Sequence, residues 1–153
     1  MQIIECSIKD LDQAATLFNQ YRIFYELPND LEKSRVFLQA NLQQRRSRIF
    51  LVLDNDGRAV AFAQLYPALC SLAMKPFYWL YDLFVAPEAR KSGHARQLMN
   101  HLTTLLTAEG ADRISLDTAT SNKAAQALYE SLGYQREAEF LTFHKYLGKS
   151  AET

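Results

Sequence analysis

The chain has 153 residues, with 17 basic and 17 acidic side chains, so its formal net charge is zero. A balanced charge argues against a protein that binds nucleic acid through bulk positive charge. Cys6 and Cys70 lack metal-site spacing, and no apolar run approaches the length of a membrane span. The first residues show no signal-peptide pattern, which predicts a cytoplasmic protein with reduced thiols.

Residue patterning predicts a single α/β domain over residues 1–149, followed by a disordered tail at 150–153. In chain order, the elements predicted for the first half are a strand at 2–8, a helix capped by Asp10, a helix at about 30–44, and strands at 49–53 and 59–65. The stretch Asp54-Asn55-Asp56-Gly57 is a hairpin signal that joins the last two strands. Residues 66–75 are ambiguous, because prolines bracket them, and they favour a loop or a frayed hairpin.

The second half continues the alternation of strands and helices. The elements predicted there are a buried strand at 77–85, a helix at 91–109, a strand at 113–118, a helix from about 121 to 132 and a final strand pair within 134–147. Gly110 and Gly133 are placed to end the two helices in the left-handed region. The predicted order is therefore β-α-α-β-β-β-α-β-α-β-β.

The segment after the strand at 77–85 has the pattern of an anion site. Pro87 stops the strand, Gly93 allows close approach of the backbone, and a helix begins soon afterwards. Free N–H groups and the helix dipole at such a terminus attract anions. Arg90, Lys91 and Arg96 add positive charge. The competing interpretation is a surface loop whose solvated cations open an ordinary helix.

Two motifs connect this loop with a known family. Arg90-x-x-Gly93-x-Ala95 resembles the Q/R-x-x-G-x-G/A motif of the GNAT superfamily of N-acetyltransferases. The second motif of that family, N-x-x-A-x-x-L-Y-x-x-x-G-F/Y, is matched by Asn122, Ala125, Leu128, Tyr129, Gly133 and Tyr134. The element order also resembles the GNAT acyl-CoA N-acyltransferase fold. The resemblance implies a mixed central sheet of about seven strands with about four helices.

The resemblance also implies acetyl-CoA as the co-substrate. Three scattered histidines without a Cys/His cluster predict no metal site. In the family, the strands here at 77–85 and 112–118 splay apart, and a backbone N–H near the end of the first strand polarises the thioester carbonyl. The residues that the resemblance assigns to acetyl-CoA are Leu83, Phe84, Val85, Arg90, Lys91, Ser92, Gly93, His94, Ala95, Arg96, Asn122 and Tyr129. His94 departs from the family pattern, which usually has an aliphatic or aromatic residue there.

Two residues are candidates for catalysis. The resemblance makes Tyr129 the general acid at the CoA sulfur, against the alternative that it is core. Asn122 lies along the pantetheine arm or only caps its helix. Asp82 is the one acid of the strand at 77–85 and is expected to share a face with Leu80 and Phe84. Its role is general base, anchor for a cationic substrate, or member of a structural ion pair.

Aromatic and acidic residues suggest a site for the amine acceptor. The residues assigned to the acceptor are Tyr21, Tyr25, Glu26, Tyr66 and Asp82. Rings and carboxylates together suit a cationic amine. The sequence thus predicts transfer of acetyl to a cationic small amine or lysine-like group. The stretches at 21–25, 64–67 and 82–85 together resemble the GNAT branch that includes histone and polyamine acetyltransferases. Alternatives are a non-catalytic acyl-CoA-binding module on the same fold and an interaction module that binds another anion. A homodimer is left open.

Overall fold

The structure is a computed structural model that describes residues 1–148; the tail predicted at 150–153 lies outside the described residues. Its elements are β1 (Gln2–Glu5), α1 (Leu11–Phe24), α2 (Leu31–Gln43), β2 (Arg48–Leu53), β3 (Ala59–Cys70), β4 (Lys75–Val85), α3 (His94–Ala108), β5 (Ile114–Leu116) and α4 (Lys123–Ser131). They fall into two units, Met1–Ala119 and a second that begins at Thr120. The single domain over 1–149 stays a prediction.

The first unit is built on one sheet of five strands in the order β1-β2-β3-β4-β5. The first four strands are antiparallel neighbours, and β5 runs parallel to β4. The parallel strand follows α3, as a crossover connection requires. Residues 66–75 continue the β3–β4 hairpin, with Cys70 paired to Lys75, where the sequence left a loop or a frayed hairpin open.

Helices cover both faces of this sheet. One face packs Ile49, Leu51, Phe62 and Phe84 against buried residues of α1 and α2. On the other face, α3 buries Leu98, Met99, Leu102 and Leu106, which recur at helical spacing. The ring of Phe50 lies 6.2 Å from that of His101, which places the second face of β2 under α3.

The second unit contains α4 and an irregular segment. The Asn122 side chain caps α4 by accepting a hydrogen bond from the Ala125 N–H at 3.1 Å, and Gly133 follows the helix at a φ of 91°. Among residues 132–148 the structure has no strand, so the predicted final strand pair is wrong for the described part of the chain. The sheet has five strands where about seven were expected. Apolar alternation alone does not make a strand, since each strand needs a neighbour to satisfy its backbone groups.

Candidate active site

A β-bulge in β4 decides where Asp82 points. Asp82 pairs with Gln64, whereas the next residue of β3, Leu65, pairs with Leu80, so Tyr81 is the extra residue. Because paired residues share a face, Asp82 and Phe84 lie on the α1/α2 face with Gln64 and Phe62. Leu80 lies on the opposite face. The expectation that Asp82 shares a face with Leu80 is therefore wrong, and its sharing a face with Phe84 is correct.

Asp82 lines an open cavity of about 470 Å³ on the α1/α2 face. The other lining residues are Phe18, Phe37, Tyr66 and Tyr81. Two of them come from helices and two from the β3–β4 hairpin. A concave, mostly aromatic site with one charged group is the usual form of a small-molecule site.

A network of hydrogen bonds centred on the buried Gln64 side chain holds the Asp82 carboxylate in place. Gln64 is 0% exposed, and its Nε2 donates to Asp82 Oδ2 at 2.8 Å. Its Oε1 accepts from Ser47 Oγ at 2.8 Å and from Asn41 Nδ2 at 3.0 Å. Asn41 Nδ2 also donates to the Tyr66 hydroxyl at 3.1 Å. Since every member has a partner, the network can fix the Asp82 carboxylate without an unsatisfied buried group.

The surroundings of Asp82 change its acidity. Burial raises the pKa of the Asp82 carboxyl above its usual range, and this outweighs the hydrogen bonds from Gln64 and Tyr21, which lower it. Burial likewise raises the pKa of the Tyr66 phenol, so Tyr66 stays neutral. A carboxylate whose pKa moves toward neutrality is better matched to taking a proton from an ammonium group.

The edge of β4 beyond Leu80 is open on the β5 side. Within residues 1–148, β5 pairs with β4 only over Tyr78–Leu80. The N–H of Ala86, the residue after β4, donates to the Val60 carbonyl at 2.8 Å, so by the alternation of an antiparallel pair Phe84 and Asp82 are the residues at this end of β4 that bond to β3. Leu83 and Val85 therefore direct their backbone groups to the other edge, where an extended ligand can bind them.

The loop at 90–93 leads from β4 into α3. Lys91 and Gly93 both have left-handed backbone, with φ of 63° and 78°. Arg90 folds back toward the strand: its Nε donates to the Val85 carbonyl at 3.0 Å, and its guanidinium lies 5.3 Å from the Phe24 ring centre. The other predicted loop residues follow directly, with Lys91, Ser92 and Arg96 exposed and with His94 and Ala95 in the first turn of α3.

Tyr129 lies in the last turns of α4, within the second unit. Its ring centre is 5.8 Å from that of Tyr134, whose backbone N–H donates to the Tyr129 carbonyl at 3.0 Å. The Tyr134 hydroxyl is buried without a hydrogen-bond partner in the described part of the chain, and burial raises its pKa to about 12. The cap at Asn122 is the structural role that the sequence had left open for this residue.

The predicted acceptor residues divide into two groups. Tyr66 and Asp82 line the cavity, and Tyr21 hydrogen-bonds Asp82. Tyr25 and Glu26 are exposed at the end of α1 and do not belong to the cavity lining, so their assignment stays a prediction.

Sequence reasoning missed five residues of the site, namely Phe18, Phe37, Asn41, Ser47 and Gln64. The available signal for Gln64 was a glutamine inside an otherwise apolar strand, Ala59–Leu65, where a polar side chain needs a buried partner.

Comparison with known proteins gives the family. The sequence model described as "Acetyltransferase (GNAT) family" matches residues 13–134. The "Uncharacterized N-acetyltransferase YhfO" of Bacillus subtilis is 36% identical over 143 residues, which are 94% of this chain and 95% of that protein. The chain belongs to the GNAT family. It is an acetyl-CoA-dependent N-acetyltransferase, and its five strands and four helices form the GNAT fold.

Solved structures and other GNAT relatives agree. A crystal structure of "a probable acetyltransferase" superposes with a TM-score of 0.92 at 35% identity and covers 97% of this chain and 99% of that chain. An "Aminoglycoside N(6')-acetyltransferase type 1" of an Acinetobacter species is 25% identical over 72% of this chain and 78% of that protein. The narrower GNAT branch of histone and polyamine acetyltransferases stays a hypothesis.

Among residues 1–148, no three His, Cys, Asp or Glu side chains form a group that could hold a metal ion. In the same residues, no helix combines the length and apolar character that crossing a membrane requires.

Proposed function

We propose that this enzyme transfers acetyl from acetyl-CoA to a cationic small amine or lysine-like group by direct attack through a tetrahedral intermediate. The observation that carries the proposal is the half-buried Asp82 carboxylate, which lies at an aromatic cavity one residue before Leu83, on the part of β4 that β5 leaves unpaired. Relatives named as acetyltransferases of aminoglycosides and of a ribosomal-protein alanine also act on amines. The membership of the GNAT family favours an enzyme over a non-catalytic acyl-CoA-binding module.

The reaction needs a neutral amine. An alkyl ammonium has a pKa of about 10.4, so Asp82 accepts its proton before the nitrogen attacks the thioester carbon. The new C–N bond forms as the carbonyl electrons move onto oxygen, and the N–H of Leu83 or Val85 stabilises that oxyanion. Collapse breaks the C–S bond, and Tyr129 donates a proton to the departing thiolate. The excess proton on the attacking nitrogen passes through solvent to the Tyr129 phenolate, and Asp82 releases its proton to water, so the products are the CoA thiol, the neutral amide and one proton.

The loop at 90–96 is proposed as the site for the diphosphate of acetyl-CoA. Two left-handed residues precede the N-terminus of α3, which turns backbone N–H groups and the positive end of the helix dipole toward the loop. The side chains of Arg90, Lys91 and Arg96 supply cations. In this arrangement Arg90 exchanges its bond to the Val85 carbonyl for the diphosphate, which leaves that carbonyl for a pantetheine amide.

Acetyl-CoA is expected to raise the unfolding temperature of the protein, because a ligand of the folded state stabilises it. Arg90→Ala should weaken acetyl-CoA binding about 10- to 100-fold, the size of a charge-assisted hydrogen bond. Thermal denaturation with and without acetyl-CoA measures the first effect, and isothermal calorimetry measures the second, with Arg58→Ala as the control, since Arg58 is an exposed arginine at the β2–β3 turn. Equal affinities of the two variants would remove Arg90 from the site, and no thermal shift in the parent protein would contradict the proposed function.

Tyr129→Phe is expected to lower kcat by about 10²-fold, at the lower end for general acid–base groups, since a thiolate with a pKa of about 8.5 leaves readily. The variant keeps the ring that packs on Tyr134 and loses only the hydroxyl. Acetyl-CoA affinity and the unfolding temperature should barely change. Tyr146→Phe, which removes an exposed hydroxyl of the same unit, is the control. A wild-type kcat in single-turnover measurements would show that Tyr129 is a packing residue.

A further inference from the structure

We propose that the acceptor is a primary amine with a single positive charge on an apolar or aromatic body, and that polycations are poor acceptors. The inference rests on the proposed function and narrows its substrate class. It is carried by the composition of the cavity, which has four aromatic rings and one carboxylate.

The four rings form two separate walls. On the helix side, Phe18 and Phe37 stack with their ring centres 5.8 Å apart and an angle of 11° between their planes. On the strand side, Tyr66 and Tyr81 meet edge to face at 5.3 Å. Walls of this kind gain free energy by burying apolar surface and by contacting a ring or a cation.

The number of carboxylates that line the cavity limits the positive charge that a bound ligand can carry. Asp82 is the only acidic residue that lines the cavity in the described part of the chain. One carboxylate neutralises one ammonium group, and the reacting nitrogen is the group that it must contact. Any second ammonium placed between the rings would lose water without gaining an anionic partner, which is costly.

The net charge of the chain adds no overall attraction for polycations. It is formally zero, so there is no excess of negative charge over the whole chain to favour them. A cavity of about 470 Å³ accommodates a ligand of modest size. An arylalkylamine matches both walls and the single carboxylate, whereas a polyamine or an aminoglycoside leaves several ammonium groups without partners.

The first test compares CoA release from acetyl-CoA with phenethylamine, spermidine and kanamycin as acceptors. We expect kcat/KM for phenethylamine to exceed that of either polycation by about tenfold or more, since each unpaired charge weakens binding. Higher kcat/KM for spermidine or kanamycin overturns the inference while leaving the proposed function intact. Acetyl-CoA binding without turnover of any of the three amines overturns the inference, and absence of acetyl-CoA binding overturns the proposed function as well.

The second test adds a carboxylate to the cavity wall. Phe37→Glu changes a residue that is 45% exposed and lines the cavity, and Val36→Glu places the same charge on the adjacent residue of α2, which is 56% exposed and outside the lining. Phe37→Glu should shift the ratio of kcat/KM values toward spermidine by about fivefold or more, the size of an exposed ion pair. Val36→Glu should leave the ratio unchanged. Equal shifts in both variants, or no shift in a folded Phe37→Glu protein, contradict the inference.

Discussion

Asp82→Asn is expected to lower kcat/KM by about 10²–10⁴-fold, because it removes the group that takes the proton of the ammonium acceptor. The parent enzyme should lose activity as pH falls through the raised pKa of Asp82, since only the ionised carboxylate is a base. In the variant this acidic limb should disappear from the pH profile of kcat/KM. Steady-state assays across pH measure both effects.

The same substitution should not destabilise the protein at neutral pH. A carboxyl group with a raised pKa in the folded state adds stability below its unfolded pKa, and this stability is lost as pH rises through the folded pKa. Above that range the buried charge opposes folding, so Asp82→Asn should keep or raise the unfolding temperature. Asp12→Asn, on the exposed face of α1, is the control for the loss of a carboxylate. A stability loss with an unchanged pH profile would instead assign Asp82 to a structural ion pair.

Gln64→Leu is expected to lower the free energy of unfolding by about 2–5 kcal/mol, because it removes the side-chain partner of the buried Ser47 hydroxyl and one of the two hydrogen-bond donors to Asp82. Activity should fall together with stability, because the Asp82 carboxylate loses the donor that orients it. Chemical denaturation measures the first effect, and the CoA-release assay at a temperature where the variant is folded measures the second.

Gln64→Glu separates the structural from the positioning role of this residue. A glutamate can still accept hydrogen bonds from Asn41 and Ser47, but it cannot donate to Asp82 and places a second carboxylate beside it. Repulsion between the two carboxylates should raise the pKa of the pair, so the acidic limb of kcat/KM moves to higher pH. An unchanged acidic limb would show that Gln64 serves packing alone.

The helices and strands that depend mainly on the local spacing of apolar residues were predictable from the sequence. The strand predicted at 77–85 is confirmed within β4, although only Phe77, Leu80 and Phe84 in it are buried, and the periodic leucines after Gly93 form α3. The order of elements is correct through α4. The predicted final strands are absent from the described residues, because pairing depends on a neighbouring strand and not on alternation within the segment.

The network around Asp82 was not predictable by the same means. A glutamine inside an apolar strand indicates a buried partner without identifying it, because only the packing of α2 against β3 brings Asn41 within 3.0 Å of Gln64. No glycine or other turn residue marks the position of the bulge at Tyr81 in the sequence. The aromatic residues, Asp82 and the two motifs were sufficient to predict the class of reaction. The hydrogen-bond partners of Asp82 were not predictable, because they come from elements distant in sequence.

The bulge at Tyr81 changes the face of the sheet to which the even-numbered residues of β4 point. Before it, the even-numbered Leu80 packs under α3; after it, the even-numbered Asp82 and Phe84 face the helices on the other side. β4 therefore contributes first to the core beneath α3 and then, after the bulge, to the candidate active site. Before residue 81, a substitution in β4 should be tolerated if it keeps an apolar side chain of similar volume. After residue 81, it should be tolerated only if it keeps the chemical group that the site uses.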